Sequence, residues 1–550
     1  MKRKADFWVV ASLVVLAIYL LFMLYPLMKV MTKSVFDAET GAFTMKYFKQ
    51  FFGQKYYSST LIHSFNVAIT SAFFSLIVGI PLAYLYNAYE IKGRKTLQML
   101  IILSSMSAPF IGAYSWILLL GRTGLIAKFI REYTGIVIPT IYGFKGIVLV
   151  MVTKLYPLVF LYVSGALKNV DNSLLEASAN MGRTGARRFL TVILPLCMPS
   201  ILAAALMVFM RSLADFGTPM MIGEGYMTFP VIIYNEYVGE VGTNHNFAAA
   251  VSVIAIGITL VVFMLQRYAS LRTSFHMSAM HHIERKKPRL VGSLCIHLYA
   301  YTVVAISILP QAYLIYLSFR NTSKSGNAFR PGYSLASYKY VFNNMGNSIF
   351  NTIRICGGAL VMIIVLAILI SYLVVRRSNR INRVIDTLSM IPYIIPGAVI
   401  GIALIMSFNS PKFPLVGTAW ILIIAMCIRR IPYTIRSTVA VLGQIPLSID
   451  EAAESLGAGK VKTLVKITIP MMLSGIFSGA VMSWVTLITE LSSSILLYNY
   501  KTMTLNLAVY MMVAKGSDGR ACAMSTILTA FTILTLVIFN KFSKNGELMM

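Results

Sequence analysis

Hydrophobic residues in this chain are grouped in long blocks, with polar residues confined to short intervals between them. About 20 apolar residues suffice to cross a bilayer as a helix. Runs of that length recur from end to end, for example Phe7 to Tyr25, Ile147 to Leu167 with only Lys154 interrupting, and Ala521 to Phe539. The pattern predicts helices over 7–30, 61–87, 97–120, 142–168, 197–223 and 246–267. A second set follows over 292–318, 348–375, 385–407, 416–443, 471–498 and 521–541. The expected fold is therefore an all-α integral membrane protein of about twelve spans. The first run follows Met1-Lys2-Arg3-Lys4. It exceeds a signal-peptide core and lacks a small-x-small cleavage site, so it is expected to be a retained anchor helix.

The second set repeats the first. Pro157 and Pro432 lie 275 residues apart, as do Glu176 and Glu451, Gly182 and Gly457, Pro195 and Pro470, and Asp215 and Glu490. Upstream the register slips, and Asn66 pairs best with Asn351 at an offset of 285. Six spans per copy give both copies the same orientation, hence two parallel six-helix bundles about an axis along the membrane normal. The boundaries that follow are 1–267 for the first half, 268–291 for a basic cytoplasmic linker, and 292–550 for the second half. The linker holds His276, His281, His282 and Glu284 beside Arg285, Lys286, Lys287 and Arg289. Nothing in it fixes a ligand geometry, so a solvated basic segment is expected rather than a metal site.

Composition agrees with a bilayer as the main solvent. Hydrophobic residues make up 57%, charged residues 12%, and mean hydropathy is +0.75, whereas a soluble domain carries about 25% charge. The net charge of +29 would suit nucleic acid if it sat on a soluble domain. Instead it falls in short clusters at 2–4, 92–95, 183–188, 285–289, 376–383, 460–466 and 541–544. With a cytoplasmic N-terminus these share one side of the membrane, and both termini are then cytoplasmic by the positive-inside rule. Anionic lipid headgroups, not nucleic acid, are the expected neighbours. The opposite segment 222–245 has Glu224, Glu236 and Glu240 and neither Lys nor Arg. The cysteines, Cys197, Cys295, Cys356, Cys427 and Cys522, have no metal-ligand spacing and suit small core positions.

The best-matched stretches lie outside the spans. Leu175-Glu176-Ala177-Ser178-Ala179-Asn180-Met181-Gly182 runs on to Pro195, and Asp450-Glu451-Ala452-Ala453-Glu454-Ser455-Leu456-Gly457 runs on to Pro470. Each is expected to be a short cytoplasmic helix, within 171–195 and 446–470. Asp171-Asn172-Ser173 and Ser448-Ile449-Asp450 offer N-cap residue types, and acids belong in the first turn. Gly182 and Gly457 suit a left-handed residue after the last turn. A water-exposed loop that keeps its length is expected to be read by something outside the chain.

The pattern E-A-A-x-x-x-G followed by I/L-P resembles the signature of the inner-membrane permeases of binding-protein-dependent ABC importers. Glu451-Ala452-Ala453 and Gly457 match it in full. Glu176, Ala177 and Gly182 match with Ser178 in place of the second alanine. Two copies in one chain, with Arg211 to Pro219 and Thr489 to Ser492, are similar to the fused permeases of ferric-iron uptake. The resemblance implies the type I ABC importer permease architecture in the inner membrane. It also implies two ATP-binding cassette subunits gripping the short helices, and an extracytoplasmic binding protein delivering substrate. The candidate receiving segments are 31–60, 222–245, 319–347 and 499–520. By resemblance the cargo is ferric iron, bare or anion-complexed; thiamine, a phosphonate or another phosphorylated small molecule would use the same architecture. A Walker A loop needs G-x-x-x-x-G-K-[ST], and Gly459-Lys460 is followed by Val461. The chain is therefore expected to be no enzyme, to bind no cofactor, and to leave ATP to its partners. A secondary transporter also accommodates parallel six-helix repeats, but it leaves the matched cytoplasmic segments unexplained.

Ionisable residues at membrane depth are costly and mark pathways or pinned helices. Asp215 and Glu490 occupy equivalent positions, as do Lys154 and Arg429, with Arg430 adjoining. Arg211, one turn before Asp215, is placed to pair with it, whereas Thr486 takes that position near Glu490. On this reading Glu490 is the less neutralised acid and the better pathway candidate, and structural ion pairs are the alternative.

Overall fold

A computed structural model describes residues 7–542 apart from 38, 106–107, 138, 240–243, 273–284 and 412. His276, His281, His282 and Glu284 of the linker, and Glu240, lie outside the described residues.

Every predicted span has a helical counterpart. Nine described helices are long and apolar enough to cross a membrane, and two bent pairs raise the number to eleven. The Ala419–Gln444 helix is equally long but carries Arg429, Arg430 and Arg436, and it occupies the place of the remaining span. Four predicted spans are interrupted where the sequence suggested continuity, among them 197–223 after Leu213 and 471–498 at Met472 and after Ile488. In the first half Arg94–Ser104 and Pro109–Leu120 are separate helices. In the second, Arg380–Ile394 and Gly397–Phe408 meet at 112°. The residues that open the later helix, Ala108 and Pro396, share nearly the same extended backbone, φ −58° and ψ 139° against φ −57° and ψ 143°. Proline at each of these two breaks removes a backbone donor and its ring opposes helix continuation.

The segments expected to be outward loops hold structure of their own. Lys46–Gly53, Phe229–Val238 and Leu505–Ala514 are helices, and Arg320–Thr322 pairs with Phe329–Tyr333 as an antiparallel hairpin. The spans beside them start earlier than hydropathy indicates, at Lys55 and Ala336. Helical hydrogen bonding continues past the apolar window there, a boundary that composition does not mark.

Two compact units are present. One comprises residues 52–232 and 257–317, the other 1–51, 233–256 and 318–550. The division at 268–291 thus marks the sequence repeat, while each compact unit takes in the first span of the other repeat. Apolar surface explains this. In the unit containing 318–550, Trp8 is buried and its ring lies 4.6 Å from that of Tyr372. In the unit built on 52–232, Ile296, Ala300 and Val304 join the core around Tyr156, Phe160 and Leu82. There the Tyr299 hydroxyl also donates to the carbonyl of Val78 at 2.9 Å.

Candidate functional site: the paired short-helix segments and the charges beside the spans

The first short helix is Asn172–Asn180 and the second Ser448–Ser455. Both end alike. The amide of Arg183 donates to Ser178 O at 3.0 Å and that of Gly182 to Ala179 O at 2.9 Å. Equivalently, Ala458 N donates to Ala453 O and Gly457 N to Glu454 O, both at 3.0 Å. This six-to-one closure needs a left-handed residue after the helix, and Gly182 (φ +76°) and Gly457 (φ +84°) supply it. Each segment then continues through a one-turn π-helix, Phe189–Ile193 or Leu464–Thr468, into Pro195 or Pro470. A π turn absorbs the donor that proline lacks. The constant spacing therefore encodes one backbone shape used twice.

The starts differ. Asp171 caps the first helix, accepting from Ser173 N at 2.9 Å. The second begins after Leu447 without a side-chain cap, so Ser448 and Asp450 are not N-caps. Only the second has acids in its first turn. Within each segment Glu176, Ala177, Glu451 and Ala452 are exposed, and Ser178 and Ala453 are buried at the same position. The Ser178 hydroxyl donates to Arg183 O at 3.3 Å, so the departure from alanine leaves no buried donor unmet.

Asp450, buried where the first segment has buried Leu175, is tied down by charge. Its Oδ2 lies 2.8 Å from Nε of Arg376, and its Oδ1 accepts from the Thr468 hydroxyl at 2.9 Å. Arg376 also donates to Ile445 O at 2.9 Å. Thr468 takes the place of buried Ile193. A polar pair plus an arginine in one half thus replaces an apolar pair in the other, as a set, because a lone buried carboxylate would be costly.

The intramembrane acids share a local role. Asp215 accepts from Gly217 N at 3.0 Å and from the Thr218 hydroxyl at 2.8 Å. Glu490 accepts from the Ser492 hydroxyl at 3.0 Å and from Ser493 N and Oγ at 3.2 Å. Each carboxylate pins the turn that follows its helix, a pattern of acid then small hydroxyl residues visible in Asp215-Phe216-Gly217-Thr218 and Glu490-Leu491-Ser492-Ser493. The expectation that Glu490 lacks a basic neighbour is corrected. Both Arg429 and Arg430 pair with it, one on each carboxylate oxygen. The partners come from the Ala419–Gln444 helix, about sixty residues earlier, where comparison with Arg211 could not find them. Arg429 also donates to Ser492 Oγ at 2.8 Å. The guanidinium lies against Gly397 at the helix break, where an added Cβ would sit 2.3 Å from Nη1. Glu490 is 2% exposed. Lys154 and Arg211 are half-buried in Phe144–Lys168 and Leu194–Leu213. Among the described residues, no group of three His, Cys, Asp or Glu side chains is arranged to hold a metal ion.

The chain matches the family of binding-protein-dependent transport system inner membrane components twice, over residues 75–275 and 359–544. It is 26% identical over 552 residues to the ferric transport system permease protein FbpB of Actinobacillus pleuropneumoniae, covering 98% of this chain and 79% of that one. A putative ferric transport permease of Haemophilus influenzae, FbpB 1, is 26% identical over 91% of this chain and 79% of its own. The molybdenum transport permease ModB of the same organism is 28% identical over 38% of this chain and 91% of its own. A bacterial ABC transporter solved for alginate import shares 18% identity, with a TM-score of 0.41 over 50% of this chain and 98% of that one. Both family matches contain one of the two helix–glycine–π-turn segments, and together they take in most of the chain, which belongs to the family of inner-membrane components of binding-protein-dependent transport systems.

Proposed function

We propose that this multi-pass ABC importer permease carries ferric iron, bare or with a bound anion, handed over by an extracytoplasmic binding protein. Three relatives that align along 85% to 98% of the chain are named for ferric transport. The molybdenum and 2-aminoethylphosphonate permeases align with 38% and 48% of the chain. The discriminating experiment is uptake of radiolabelled ferric iron by cells carrying the permease with its neighbouring transport genes. Competition by unlabelled ferric iron, and none by molybdate or 2-aminoethylphosphonate, is expected. Competition by either anion alone would replace iron as the cargo.

The observation that carries the transport mechanism is the twice-used segment shape. On this reading two ATP-binding cassette subunits bind the helices carrying Glu176, Ala177 and Gly182, and Glu451, Ala452, Ala453 and Gly457, from the cytoplasm, where both chain termini also lie. Matched apolar side chains support a protein partner there. Met181 is 78% exposed and Leu456, 275 residues later, 90% exposed. Such side chains gain most from a desolvated pocket. The permease binds no cofactor and hydrolyses no ATP itself; closure of the partner subunits moves its two short helices. Asp215, Arg211, Lys154, Arg429, Arg430 and Glu490 set the helix geometry around the pathway. Glu490 does so by holding two guanidinium groups, which favours pinning over direct contact with cargo.

A further inference from the structure

We propose that two repeat-related polar latches fasten the broken stretch, or strap, between the last two spans of each half, and that transport requires them to open. His63, Ser64 and Asn66 form the first latch, Asn351 and Thr352 the second. Each strap follows an acid-pinned turn and, among the described residues, forms short helices alone. These are Gly217–Ile222 and Phe229–Val238 between Leu213 and His245, and Ser494–Leu497, Tyr500–Thr502 and Leu505–Ala514 between Ile488 and Asp518. Backbone broken in this way leaves amides and carbonyls that no helix pairs, and in a membrane protein they need partners from the chain itself. The long helices Lys55–Ala88 and Ala336–Arg376 supply them. His63 Nδ1 lies 3.0 Å from Met227 O; a carbonyl only accepts, so the imidazole donates. Ser64 Oγ accepts from Phe229 N at 2.9 Å, and the Asn66 side chain is hydrogen-bonded to the Tyr226 hydroxyl. In the second half Asn351 Nδ2 donates to Lys501 O at 2.8 Å and to Met503 O at 3.1 Å, and Thr352 Oγ1 accepts from Leu505 N at 2.7 Å.

Three observations make these contacts latches rather than plain packing. The same joint occurs twice on repeat-related residues. Asn66 and Asn351 lie 285 apart, and their partners Tyr226 and Lys501 lie 275 apart, so the slip in register between the copies leaves the joint in place. The fastening consists largely of single hydrogen bonds from a side chain to the main chain. Their net worth is small because water takes up both partners once they part, so a partner that favours the open arrangement can release them. The first strap is also held under strain. Glu224, at φ +48°, is a left-handed non-glycine residue, and its carboxylate is fixed 2.8 Å from Arg122 Nη2. Such a conformation persists only where the surroundings impose it, and release of the strap lets it relax. The grip on this strap extends along the helix. The His63 ring stacks on Tyr226 with centroids 3.9 Å apart, and the Tyr56 hydroxyl reaches Met227 Sδ at 3.3 Å.

The proposal rests on the importer reading but not on its cargo. The test uses the full chain with Cys295, the exposed cysteine, changed to serine. Two cysteine pairs are placed across the first joint, Asn66→Cys with Tyr226→Cys and, separately, Tyr56→Cys with Met227→Cys. Each variant is reconstituted in proteoliposomes with its ATPase and its binding protein, loaded as purified, and is bridged by a short reducible reagent that joins two thiols. ATP hydrolysis stimulated by the binding protein and uptake of radiolabelled ferric iron are both measured. Bridging is expected to lower both about tenfold, and reduction to restore them. Full hydrolysis and uptake with the joint bridged would overturn the proposal, because the latch would then stay shut throughout the cycle. Loss of hydrolysis on bridging, in a protein that takes up no iron even when reduced, would support the latch and overturn the cargo instead.

Discussion

Arg376 Nε and Asp450 Oδ2, 2.8 Å apart and each less than a tenth exposed, join the end of a membrane-spanning helix to the second short-helix segment. The first segment has buried Leu175 at that place. The two segments therefore share a shape but not an anchor. Removing one partner of a buried pair costs about 3–5 kcal/mol, whereas replacing both by apolar residues is often near neutral. Arg376→Gln or Asp450→Asn should lower uptake at least several-fold and loosen the segment, seen as faster proteolysis near residue 457. The double change Arg376→Leu with Asp450→Leu should recover much of the loss. Equal damage by the single and double changes would remove the anchoring role.

Glu490 should act as a structural pin. Glu490→Gln leaves Arg429 and Arg430 facing one uncharged group, with a cost on the order of 3–5 kcal/mol. The yield of monodisperse permease in detergent and its Tm should both fall. Asp215→Asn keeps Oδ1 as the acceptor for Gly217 N, and its new amide NH2 donates to the Thr218 hydroxyl oxygen in place of the lost acceptor, so its Tm should drop far less. A Glu490→Gln protein of normal Tm but abolished uptake would restore the pathway role.

Gly397 should tolerate no side chain. A Cβ there would meet the Arg429 guanidinium at 2.3 Å and Ser492 Oγ at 2.4 Å, and overpacking typically costs about 1–3 kcal/mol. Gly397→Ala should lower Tm clearly. Gly165→Ala, with nothing within 4 Å of the added carbon, should leave it unchanged or raise it slightly. Identical Tm values for both variants would contradict the packing at the break.

Much of this was legible in the chain because it depends on local pattern. Apolar blocks located the spans, and the constant Glu–Gly–Pro intervals located two segments whose closing turns are left-handed at Gly182 and Gly457. What hydropathy could not reveal depends on partners far along the chain. Arg429 and Arg430 reach Glu490 from another helix, and Arg376 reaches Asp450 across more than seventy residues. The interruptions at Ala108 and Pro396 sit inside apolar runs, where hydropathy stays high although the hydrogen-bond ladder stops. Pro109 and Pro396 were the available signals. The exchange of first spans between compact units follows from which apolar surfaces fit, and periodicity carries no information on that.

The central claim is that the two cytoplasmic segments transmit ATP hydrolysis to the spans. A β-branched residue in the left-handed region costs about 1–2 kcal/mol, and neither glycine has an atom within 4 Å of an added Cβ, so the effect on Gly182 and Gly457 is conformational and local. The measurement is ATP-driven uptake of radiolabelled ferric iron into proteoliposomes holding the permease, its ATPase and its loaded binding protein. It compares the unaltered chain with Gly182→Val plus Gly457→Val. The account predicts normal reconstitution of the double variant and uptake reduced at least tenfold. Undiminished uptake by the double variant, or uptake without the ATPase, would contradict it.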